Sequence, residues 1–218
     1  MAFQDDTREN LLIDLFELDQ PPGRARSDVD AYLSIDGKML PFELKSTSRG
    51  SVTTVRDFGL KHIEKWQDEH WLIGVFDKKG KNLTYALYGS PARMKPWIDE
   101  KAEYIRPDFE LADHAPDLLD FAVLDNILGH KESYTIDDAR RLHKKQLKIA
   151  EYRAATDLPD NKYSRERMLK ILKSRLNYII KRGSTLNNPH IPESYFRGWE
   201  RITENQSATL RRMVRAEL

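Results

Sequence analysis

The sequence predicts an α/β (α+β) protein, with a mixed β-sheet flanked by helices and a mainly helical C-terminal region. Three observations carry this reading. Two strand-like runs, DVDAYLSI and MLPFELKST, enclose the turn Asp36-Gly37-Lys38, which is a hairpin signal. HWLIGVFD, residues 70–77, is a short continuous apolar run of the kind a buried strand shows. Beyond residue 90 the apolar spacing becomes helical.

The elements follow in order. Residues 7–18 read as a helix with Thr7 as its cap and Leu11, Leu12, Leu15, Phe16 and Leu18 as its apolar stripe. Gln20 to Arg26 is a loop, because two prolines and a glycine interrupt regular structure. The hairpin comes next, then a loop and helix within 51–67, the strand at 70–77, a turn at KKGKN and a second strand, LTYALYGS. Ser90-Pro91 starts a helix containing MKPWIDEKAEYI. Thr135 and Asp138 form a capping box ahead of IDDARRLHKKQLKIAEYR. Ser164 caps RERMLKILKSRLNYIIKR and Gly183 ends it, with Met168, Leu169, Leu172, Leu176 and Ile179 on one face. STLNNPHIP, 184–192, is a polar loop, and 193–217 is expected to be helical.

Composition excludes several classes. With 218 residues and 39% hydrophobic content the chain can bury a core. No stretch approaches the ~20 apolar residues of a membrane helix, and MAFQDDTREN does not read as a signal peptide. The absence of cysteine excludes disulfides, thiol catalysis and cysteine-ligated zinc, and it fits a cytoplasmic location. The net charge of +1 conceals an asymmetry: 16 Lys+Arg against 24 Asp+Glu in residues 1–130, and 20 against 11 in 131–218. A basic half suggests a polyanion partner; solvated helix faces are the plainer explanation.

The segment that carries chemistry is Asp28-Val29-Asp30, twelve residues, then Glu43-Leu44-Lys45. Alternation along a strand puts Glu43 and Lys45 on one face and Phe42 and Leu44 on the other. The hairpin can bring Asp28 or Asp30 beside Glu43. Two carboxylates and a backbone carbonyl suit a hard divalent cation, and a lysine adds positive charge where a phosphate under attack becomes more negative. Burial of that lysine is also a route to a lowered pKa. Alone, Asp/Glu-x-Lys is a weak signal, and DEK at 99–101 is a chance match on a helix. A strand setting, aspartates opening the partner strand and a preceding helix strengthen it. A surface hairpin whose Glu43 and Lys45 pair in solvent is the competing reading.

At these residues the chain resembles the PD-(D/E)xK nuclease superfamily, to which many type II restriction endonucleases belong. The resemblance covers roughly residues 7–90. It implies a restriction-endonuclease-like core with Glu43 as metal ligand, Lys45 as catalytic lysine, Leu44 contributing its carbonyl, and Asp28 or Asp30 as the first aspartate. Asp28 fits the usual pattern slightly better, although Ser27 stands where a proline is common. Glu9 on the first helix is a further metal-site candidate. The implied cofactor is Mg2+, or Mn2+ in its place, with no nucleotide cofactor. The implied partners are double-stranded DNA and a second copy of the chain. Residues 1–130 then form the nuclease core and 131–218 a basic helical part for DNA binding or dimerisation, though one domain is equally compatible. A structure-specific nuclease and a non-catalytic DNA-binding protein remain the alternatives.

Several residues suit DNA contact. Arg49, Thr53, Thr54 and Arg56 follow the motif closely. Arg140, Arg141, Lys144 and Lys145, with Lys148, make a basic helical stretch suited to phosphates. Asn187 and Asn188 lie in a loop whose side chains can read base edges, though they are ordinary loop residues too. The histidines have no HExxH spacing, and neither a Gly-x-Ser-x-Gly elbow nor a Walker motif occurs. The four tryptophans read as packing residues.

Overall fold

The structure is a computed structural model that describes residues 2–21, 23 and 28–218, with the backbone alone for 2–5. Most of the expected loop at 20–26, and Ser27, lie outside the described residues. The chain forms two compact units. The first comprises residues 1–104 and 186–218, the second 105–185.

The first unit is built on a five-stranded mixed sheet. Its strands are β1 (Ala31–Ile35), β2 (Lys38–Thr47), β4 (His70–Phe76), β5 (Leu83–Gly89) and β7 (Arg201–Ile202), in the order β1-β2-β4-β5-β7. The hairpin forms as expected: β1 and β2 pair antiparallel with Ile35 opposite Lys38. Asp36 and Gly37 both take positive φ, 50° and 78°, which matches the twist of a two-residue hairpin loop. β2 and β4 run parallel, and such a pair needs a crossover. Here the crossover contains β3 (Val52–Thr53) and α2 (Leu60–Trp66). β5 and β7 complete the sheet by antiparallel pairing.

The two sheet faces differ sharply. Phe42 and Leu44 of β2 join Leu72, Ala86, Tyr88 and Ile202 in an apolar core closed by α1 (Ala2–Phe16) and α8 (Gln206–Arg215). Gly74 makes room on this face, because a Cβ there would stand 2.9 Å from Leu12. The other face carries Glu43, Lys45, Trp71 and Ile73. There α2 packs through Trp66, whose ring meets Trp71 at 4.8 Å and lies near Phe58 and Trp97. Trp66, Trp71 and Trp97 are thus packing residues, whereas Trp199 is only half-buried.

Four expectations change. The first helix starts at Ala2, so Thr7 lies inside it and is not its cap; Leu15 is exposed and Ile13 takes its place in the core. The stretch after Thr135 is two short helices, α5 (Ile136–Leu142) and α6 (Ile149–Ala154). Lys144 and Lys145 between them adopt φ of 53° and 59°, a left-handed conformation that ends the helix. Residues 193–217 are not helical throughout: β7 precedes α8. The polar loop contains β6 (His190–Ile191), which pairs with β3.

The second unit has its own core of Leu124, Tyr134, Tyr152, Tyr163, Met168 and Leu172. It contains the end of α3 (Pro91–His114), α4 (Phe121–Leu128), α5, α6 and α7 (Arg165–Gly183). The Thr135/Asp138 capping box and the Ser164 cap are present as expected. Ile179 lies outside the core, half-exposed. The composition shift near residue 130 falls within this unit, and residues 186–218 belong to the first. The charge asymmetry contracts accordingly. The second unit holds 16 Lys+Arg against 13 Asp+Glu, a net of +3, and the first 20 against 22, a net of −2.

Candidate active site

Glu43 and Lys45 point to the same sheet face, as alternation requires, and Asp30 immediately before β1 joins them. Lys45 Nζ lies 2.5 Å from Glu43 Oε1, 3.1 Å from the Leu44 carbonyl oxygen and 3.8 Å from Asp30 Oδ2. These three oxygens are the ligand set expected from sequence, and they surround one positive charge. Asp30 is fixed from the other side, because its Oδ2 accepts from the Leu44 backbone N–H at 2.8 Å. Asp28 sits differently. Its side chain is exposed, and its carbonyl accepts from Lys65 Nζ at 2.9 Å. Of the two aspartates, geometry brings Asp30 to the pair.

Two residues of this cluster were not singled out from the sequence. Lys65 of α2 donates to Glu43 Oε2 at 2.9 Å, so each Glu43 oxygen meets a lysine. Glu69, just before β4, is buried, and Lys65 lies 3.8 Å away. The only trace of them in sequence is an i,i+4 Lys–Glu spacing, which most solvated helices also show.

The electrostatics follow from burial and crowding. Burial raises Glu43, but Lys45 and Lys65 outweigh it and hold its pKa at about 2. Burial and the Glu43 charge push Asp30 up to about 6, against the opposing pull of Lys45. Glu69 rises to about 8, through burial first and then the Glu43 charge. Burial pulls Lys45 down, yet Glu43 and Asp30 override it and raise its pKa. The lowered lysine pKa that burial alone would give is therefore reversed. With Glu43 and Asp30 beside it, the charged form of Lys45 is the favoured one.

A groove of about 550 Å³ opens beside Lys45, with Glu9, Ser46, Thr53, Thr54, Arg56 and Asn188 on its walls. Sequence candidates from four separate segments thus meet in one place. Glu9, half-buried on α1, adds its charge to those acting on Asp30 and Lys45. Thr54 has a structural task, since its hydroxyl donates to the Pro189 carbonyl at 2.7 Å; Thr53 meets His190 Nδ1 at 3.2 Å. Arg49 and Asn187 are exposed but do not line the groove. Arg140, Arg141, Lys144 and Lys145 belong to the second unit, where Arg140 pairs with Asp137 at 3.1 Å.

Set against known protein families and curated protein sequences, the chain matches none.

Those residues can be tested for fit to a divalent cation. Among the described residues no three His, Asp or Glu side chains converge at metal-holding distance. The candidate set is two carboxylates and a carbonyl, and it already surrounds an ammonium. The buried cluster also carries three carboxyl groups, Asp30, Glu43 and Glu69, against two lysines, and Glu69, raised to about 8, is mostly protonated at neutral pH. All-oxygen donors are what Mg2+ or Mn2+ prefers. By donor type alone these residues suit such an ion.

Proposed function

We propose that this protein is a Mg2+-dependent DNA endonuclease with a PD-(D/E)xK, restriction-endonuclease-like core, acting on double-stranded DNA as a type II restriction enzyme. The observation that carries the proposal is the convergence of Asp30, the Leu44 carbonyl and Glu43 on the Lys45 ammonium, beside a groove walled by Arg56 and two threonines.

In this reading Asp30, Glu43 and the Leu44 carbonyl would hold the cation. When bound, Mg2+ or Mn2+ supplies Lewis acidity toward the phosphoryl oxygen. Hydrolysis joins a water oxygen to phosphorus and breaks one P–O ester bond. Lys45 would place its charge where the phosphate becomes more negative. Lys65 keeps Glu43 ionised and aligned. Arg56 and the groove hydroxyls contact neighbouring phosphates, which positions the strand without reading sequence. A two-fold homodimer is the natural arrangement for cutting both strands of a palindromic site.

One observation favours a non-catalytic DNA-binding protein: both Glu43 oxygens are already neutralised by lysines. Supercoiled plasmid with Mg2+ separates the readings. The nuclease nicks or linearises it, and Lys45→Ala or Glu43→Ala loses at least about 100-fold in rate, the scale of removing one preorganised charge. Discrete fragments indicate a site-specific enzyme, and a smear or branch-dependent cutting a structure-specific one. Absence of any Mg2+-dependent cutting favours the binding protein.

A further inference from the structure

A second cavity lies on the same sheet face as Glu43 and Lys45. Pairing carries a continuous row across the strands from Lys45 to Ile73, Leu87 and Arg201. Paired residues project to one side of a sheet, and strands are ~4.8 Å apart, so Arg201 stands about 14 Å from Lys45 along this row. Over Ile73, Leu87 and Arg201 of this row opens a pocket of about 470 Å³. That volume falls within the range of small-molecule sites.

The pocket's chemistry is distinctive. Ile73, Val75 and Leu87 give it an apolar floor, and Tyr85 and Trp199 give it aromatic surface. The Arg201 guanidinium lies over the Tyr85 ring, 4.4 Å from its centroid. Arg197 and Glu193 supply charge at the wall. The wall is held close at Gly50, whose φ is +87° and where a Cβ would come within 2.5 Å of Glu193 Oε2. Aromatic rings and stacked arginine planes are the surfaces on which unpaired bases stack, and arginine also binds the attached phosphate. A carboxylate such as Glu193 accepts hydrogen bonds from base amino groups.

We propose that this pocket binds an unstacked nucleobase, with its phosphate on Arg197 and Arg201, one to two nucleotides from the phosphate held at Lys45. The placement relative to the cut rests on the endonuclease reading; base capture itself does not. Taking a base out of the stack costs a few kcal/mol, and stacking of about 1–3 kcal/mol per base offsets part of that.

The test uses the full-length Lys45→Ala protein, which cannot cleave, and a short single-stranded oligonucleotide carrying one 2-aminopurine. Binding quenches the 2-aminopurine fluorescence. Tyr85→Ala and Arg201→Ala each weaken binding about 10-fold, consistent with loss of one stacking contact, and Tyr85→Phe restores it. An abasic residue in place of 2-aminopurine, followed through an end label, lowers affinity as much as Tyr85→Ala does. Circular dichroism checks the fold, and Trp199→Ala provides a second variant should Tyr85→Ala unfold. Equal affinity for the abasic oligonucleotide, or unchanged quenching in folded Tyr85→Ala and Trp199→Ala, overturns the proposal. Plasmid nicking by the unmodified protein reports separately on the nuclease. Base capture without nicking upholds this pocket and removes the nuclease reading; nicking without base capture does the reverse.

Discussion

At the scale of single residues, the choice between the two aspartates is the sharpest consequence of the geometry. Asp30 Oδ2 accepts from the Leu44 N–H and lies 3.8 Å from Lys45, whereas the Asp28 side chain is exposed. Asp30→Asn should therefore lower plasmid nicking by at least about 100-fold, while Asp28→Asn changes it by less than about threefold. Equal losses from both would return Asp28 to the site. The sequence made Glu43 and Lys45 legible, because strand alternation with Phe42 and Leu44 dictates which pair faces away from the core. It could not separate Asp28 from Asp30, since both precede the strand and share its spacing. Lys65 and Glu69 were illegible for a different reason. Their proximity to Glu43 is created by the β2–α2–β4 crossover, and Lys61, Glu64 and Lys65 look alike in sequence. A second residue-scale prediction concerns His70. It is buried, with Nδ1 2.7 Å from the Tyr88 hydroxyl, and burial lowers its pKa from 6.5 to about 4. Between those values the unfolded chain takes up a proton that the folded one refuses. His70 by itself costs stability as pH drops from 6.5 to 4, by roughly 3 kcal/mol, while Asp30 and Glu69, raised to about 6 and about 8, act in the opposite direction over the same range. Denaturant melts of the unmodified protein and of His70→Phe should therefore differ by that slope, the unmodified protein losing stability relative to the variant as pH falls; a difference independent of pH would contradict the assignment.

At the scale of elements, capping chemistry was read correctly where a side chain closes a helix locally. Ser164 accepts from the Arg167 N–H at 3.1 Å and is itself held by Asp157. Ser164→Ala should destabilise the second unit by about 1 kcal/mol, as loss of a helix cap does. A denaturation midpoint unchanged within error would contradict that. The expected long basic helix failed because its break depends on two lysines in left-handed conformation, which lysine does not signal. The C-terminal strand was missed because β7 is two residues long, too short for any periodicity, and its pairing with β5 is purely tertiary. The β3–β6 pairing, fastened by Thr54 to Pro189, explains why Asn188 reaches the groove while its neighbour Asn187 does not line it.

At the scale of the whole molecule, the fold class was legible and the division of the chain was not. Alternation and the Asp-Gly turn suffice for a mixed sheet with flanking helices. The return of residues 186–218 to the first unit leaves no mark on composition, so the sequence asymmetry of charge exaggerated the contrast between the units. What the first unit gains by that return is groove and pocket lining, since Asn188 joins the groove and Trp199 and Arg201 join the second pocket. No helix of the described residues is long and apolar enough to cross a membrane. The most direct test of the account combines phage DNA, Mg2+ and sequencing of the fragment ends. The unmodified protein should yield ends at one recurring sequence, and Glu43→Ala should yield none while still retarding DNA in a gel. Undiminished cutting by Glu43→Ala, or no Mg2+-dependent ends from the unmodified protein, would contradict the assignment.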